Sequence, residues 1–108
     1  MGTKVTKSSG NVYADLGIRG ADEHALKAEL VRQIGVVMKE EELTQAAAAR
    51  RLGIEQPDVS RMLRGHFRQF SVERLMRFLV SLGKDVEIVV RPASARAKTA
   101  QLTVSTKG

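Results

Sequence analysis

The feature that most constrains this chain is the twenty-residue run QAAAARRLGIEQPDVSRMLR, residues 45–64. It reads as two short helices joined by a tight turn. Thr44 precedes the run as a good N-cap, and the alanine-rich stretch Gln45–Leu52 favours helix. Gly53 follows at the position where a helix ends in a left-handed residue. A second helix starts near Gln56, with Pro57 in its first turn, where the missing N–H costs nothing, and it runs to Gly65.

Two helices crossing at about 90–120° need small and apolar groups at fixed offsets. Ala49 is small where the second helix crosses. Ile54 plugs the core beneath the turn, and Leu52 faces Val59 and Met62. That leaves an outward face on the second helix carrying Gln56, Pro57, Ser60, Arg61 and Arg64. Glutamine and arginine are the side chains that hydrogen-bond adenine and guanine edges in pairs. Ser60 can serve base or phosphate. Gln45 sits where a phosphate would meet a helix N-terminus. His66 and Arg68, just beyond the second helix, are candidates for phosphate contact. The pattern predicts a helix-turn-helix whose second helix enters the DNA major groove while the first crosses the backbone.

Charge agrees. The net charge is +6, and residues 45–77 hold seven arginines against Glu55, Asp58 and Glu73. Most of these arginines are expected to be solvated. Arg50, Arg51, Arg74 and Arg77 supply positive field or phosphate contacts, and Asp58 answers the dipole of its own helix. The run Glu40–Glu42 is a solvated helix end that must face away from DNA.

Around the motif, periodicity predicts a mainly α fold of four to five helices. A long first helix, about Asp22 to Glu41 with Asp22 as N-cap, buries Ala25, Leu26, Leu30, Ile34, Val37 and Met38. Gly35 is expected to permit a close helix contact. Residues 66–70, HFRQF, link to a last helix of about Val72 to Leu82. It is capped by Ser71 and striped with Leu75, Phe78, Leu79 and Leu82. In residues 85–91, DVEIVVR, the period changes to alternation and predicts a short strand stopped by Pro92. A lone strand needs a partner. The chain offers only 11–14 or 102–105, so pairing with a second copy across a dimer axis is expected. Residues 1–10 read as a disordered arm, 11–91 as the domain, and 92–108 as a disordered basic tail.

Other classes are argued against. No Ser-His-Asp, Cys-His, phosphate-loop or zinc spacing is present, cysteine is absent, and His24 and His66 lack ligand spacing. No enzyme, metal site or cofactor is expected. Aromatic content of 4% provides no stacking platform for single-stranded RNA. No apolar run approaches the roughly 18–20 residues of a membrane span, and a cytoplasmic location is expected.

Gln45, Ala49, Gly53, Ile54, Gln56 and Val59 stand where the phage-repressor (Cro-like, or XRE) helix-turn-helix superfamily has such residues. The chain therefore resembles that superfamily, and its expected fold is the lambda-repressor-like helical domain. Over about residues 11–91 it also resembles the HigA-like antitoxins of toxin–antitoxin modules. Pro57 departs from the broad pattern, which has Ser or another polar residue there. It exchanges a polar base contact for an apolar one, such as a thymine methyl. The resemblance implies a homodimer on a palindromic double-stranded operator, autorepression, and for many members neutralisation of a partner toxin. Two readings stay open: a sequence-specific regulator, or a toxin-binding protein whose DNA binding is secondary.

Overall fold

The structure, a computed structural model, describes residues 20–93 and 102–105, with side chains from Glu23 onward. Among these residues there are four helices: α1 Gly20–Glu40, α2 Gln45–Leu52, α3 Gln56–Leu63 and α4 Val72–Ser81. The expected arm at 1–10, the segment 11–19 and most of the tail lie outside the described residues.

α1 forms one wall of the core. It packs against α4 and, less extensively, α3, while α2 packs on α3 and α4. The helix starts two residues before Asp22, which therefore lies inside it and not at the cap. The buried face is Leu26, Leu30, Val31, Ile34, Val37 and Met38. Ala25, expected in that set, is exposed. At 100° per residue it points almost opposite to the centre of the stripe, whereas Val31 falls within it. The helix runs through Gly35 unbroken. A Cβ there would sit 3.8 Å from Leu63 Cδ2, an ordinary contact, so no close approach demands glycine. On the exposed side, Arg32 meets Glu29 at 2.7 Å. Hydrogen bonds from Arg32 and then Gln33 hold the Glu29 carboxyl below its ordinary range.

α4 is the second wall. Its stripe of Leu75, Phe78, Leu79 and Leu82 is buried as expected, and Val72 joins it. Ser71 caps it, its Oγ accepting from Arg74 N at 3.0 Å.

The linking loop 66–70 is more than a connection. Phe67 and Phe70 are both buried. Phe70 meets Phe78 edge-on at 5.3 Å, and Phe67 stacks with the exposed His24 at 5.1 Å. Arg74 lies over Phe70 and Phe78, 5.1 and 5.5 Å from the ring centres.

The expected strand at 85–91 is not formed in the single chain. Residues 84–93 and 102–105 carry no regular secondary structure. A strand exists only with a ladder partner, and no described segment supplies one. Within the tail, Val104 is partly buried and packs on the core.

Candidate nucleic-acid interface

The turn between α2 and α3 is built by the chain itself. Thr44 Oγ1 accepts from Ala47 N at 3.0 Å and opens α2. Gly53, at φ 74°, closes it. The N–H groups of Gly53 and Ile54 both donate to the Ala49 carbonyl, at 2.9 and 3.1 Å. A Cβ on Gly53 would meet nothing within 4 Å. The glycine is required by backbone conformation and not by crowding.

The motif's apolar residues hold the two helices together. Ala49, Leu52, Val59 and Met62 are buried, and Ile54 is partly buried against the same core. Ala48 is also fully buried, a position that the uniform alanine run does not distinguish by sequence.

α3 has one buried and one open side. Val59 and Met62 are wholly inaccessible. On the helical wheel Pro57, Ser60, Arg61 and Arg64 gather on the opposite side. Pro57, Arg61 and Arg64 are exposed and Ser60 is intermediate. Gln56 is exposed at the first residue, on the flank of this cluster, and Asp58 is on the other flank. Arg61 Nη2 lies 3.5 Å from Asp58 Oδ1, so the acid holds the guanidinium beside the open face. The N-cap position of α3 is Glu55, which makes no side-chain cap bond.

The flanking candidates take up two positions. Gln45 is half-buried at the start of α2, whose first turn holds no acid to neutralise its positive end. His66 and Arg68 are exposed on either side of the buried Phe67, so an aromatic anchor fixes the loop that presents them. Gly65, at φ 103°, lets His66 N reach the Arg61 carbonyl at 2.8 Å. Lys27 Nζ donates to the Arg68 carbonyl at 3.4 Å. Phe67, in a loop with no period, carries no sequence signal that marks it as this anchor.

Arg51, Arg74 and Arg77 have local work. Arg51 lies 3.6 Å from Glu41 and reaches the Ser81 carbonyl at the end of α4 at 3.5 Å. Arg74 covers the two phenylalanines, and Arg77 pairs with Glu73 at 3.2 Å. Among the described residues no group of His, Asp or Glu could hold a metal ion, and no helix is long and apolar enough to cross a membrane.

Two short helices packed on each other across a glycine turn, the second with one open, arginine-bearing side, make a helix-turn-helix. The family described as "Helix-turn-helix domain" matches residues 12–91. A solved structure assigned to the XRE family of transcriptional regulators is 40% identical. It superposes with a TM-score of 0.78 over 82% of this chain and all of that one. No curated protein sequence matches. The chain belongs to the helix-turn-helix domain family and is of the XRE type.

Proposed function

We propose that the protein is a sequence-specific DNA-binding transcription regulator that reads the major groove with α3 and acts as a homodimer. The observation that carries this reading is the two-sidedness of α3. Val59 and Met62 lock one side into the core, while Pro57, Ser60, Arg61 and Arg64 occupy the other, open to a duplex. Arg61 and Arg64 would take guanine edges, Gln56 adenine, and Pro57 a thymine methyl, with Ser60 serving base or phosphate. Gln45, His66 and Arg68 would contact the phosphates on either side, fixing register without reading sequence. One α3 covers a half-site. Two copies about one helical turn apart would cover a palindrome, which suits repression of the protein's own operon.

The antitoxin role rests on the resemblance alone, and co-purification of a companion protein from the native host tests it.

The regulator reading is tested by fluorescence anisotropy on the DNA upstream of the protein's own gene and on a scrambled duplex, at two salt concentrations. Preference for the upstream DNA with a steep fall in affinity as salt rises is expected. Arg61→Ala should cost about 1–3 kcal/mol on the preferred DNA and much less on the scrambled one. Equal losses on both would remove Arg61 as a base reader.

A further inference from the structure

Beyond α4 the chain carries a run of exposed apolar side chains that the helical core does not use. Ile88 is 66% and Val90 78% exposed, and Val86 and Val89 are open as well. Val80, in the last turn of α4, is also exposed. Polar or flexible residues would be expected on a segment meant to stay in water. Instead it is β-branched and alternating, the composition of a strand, and apolar residues exposed along such a segment invite pairing with another chain. The sequence DVEIVVR is also nearly self-complementary in charge about its centre. Asp85 lies three residues before Ile88 and Arg91 three residues after it.

From this we infer that residues 85–91 pair antiparallel with the same residues of a second copy, in the register that places Ile88 opposite Ile88. The inference deepens the homodimer reading above and rests on it. In this register Asp85 of each copy faces Arg91 of the other at both ends of the ladder, and Val86 faces Val90. One surface of the two-stranded ribbon is then a continuous stripe of Val86, Ile88 and Val90 from both copies. The neighbouring symmetric registers are worse. Centring on Val89 places Pro92, which cannot donate to a ladder, opposite Val86. Centring on Glu87 places two glutamates face to face.

The chain contains no cysteine, so single cysteines introduced into the full-length protein report the register directly. The variants are Glu87→Cys, Ile88→Cys and Val89→Cys. They are checked for native helicity by circular dichroism, sized by sedimentation, and oxidised with copper phenanthroline. Residues directly opposite lie closest, and diagonal ones are about 7–8 Å apart. Cross-linked dimer should therefore peak at position 88 and fall several-fold at 87 and 89. A peak at 87 or 89 overturns the register. A chain that sediments as a dimer but cross-links at none of the three overturns the strand interface and leaves the homodimer reading intact. A monomer at concentrations that bind DNA overturns both. A charge swap gives an independent readout. Asp85→Arg should weaken dimerisation about three- to tenfold by opposing like charges at both ends, and adding Arg91→Asp should restore it. No weakening by Asp85→Arg overturns the pairing of Asp85 with Arg91.

Discussion

The backbone N–H of Leu43 donates to the carbonyl of Met38 at 2.8 Å, closing α1 with a six-residue loop that recurs at every helix end described. Ile54 closes on Ala49, His66 on Arg61, and Lys84 on Leu79 in the same way. This is the hydrogen bond of a Schellman ending, in which the residue before the donor takes positive φ. That residue is Gly53, Gly65 and Gly83 in three cases, and Glu42, at φ 55°, in the fourth.

Glu42→Gly should therefore stabilise the protein by about 1 kcal/mol, the cost of holding an L side chain in the left-handed region. Gly53→Ala should destabilise by a similar amount, although its new methyl group meets nothing. Urea denaturation of the two variants checks both signs. Unchanged stability in both would mean that the helix ends relax without cost.

Gly35→Ala is expected to stabilise by about 1 kcal/mol, the helix-propensity gain of alanine over glycine. The added Cβ meets Leu63 Cδ2 at 3.8 Å, which adds contact without overlap. A thermal melt that moves down would show that α1 and α3 approach more closely in solution than this spacing allows.

Phe67→Ala should be among the most damaging single changes. It removes a buried ring at a cost of about 3–5 kcal/mol, a large part of the stability usual for so small a domain. Phe67→Leu keeps most of the volume and should fold. By loosening the His66–Arg68 loop it should also weaken DNA binding on matched and scrambled duplexes alike, because that loop would touch phosphates and not bases. Denaturation together with anisotropy separates the two effects.

The helix-turn-helix was readable because its constraints are local. Thr44, Gly53 and Pro57 mark helix ends through their own backbone preferences, and Val59 and Met62 follow from a period of 3.6. Phe67 and Phe70 were not readable as core, because a loop has no period to betray which side faces inward. The burial of Ala48 beside Ala49 was hidden by a run of identical residues. Residues 85–91 show the opposite case. Their alternation is plain in the sequence, yet a strand depends on a partner, so one chain does not form it.

Asp58 gives the most discriminating test of α3. It lies in the first turn, where its charge complements the helix dipole, and it pairs with Arg61 at 3.5 Å. It also places a negative charge beside the face that would meet DNA. Asp58→Asn removes the dipole complement and the ion pair, both partly exposed, so stability should fall by about 0.3–1 kcal/mol. The same substitution releases Arg61 and removes a repulsive charge. Affinity for non-specific DNA should therefore rise several-fold, and preference for the matched duplex should narrow as Arg61 loses its orientation. Stability and non-specific affinity thus move in opposite directions, which loss of fold does not produce. Measuring both by urea denaturation and anisotropy on matched and scrambled DNA decides the matter: if affinity falls on both duplexes, Asp58 is itself a DNA contact and does not act through Arg61.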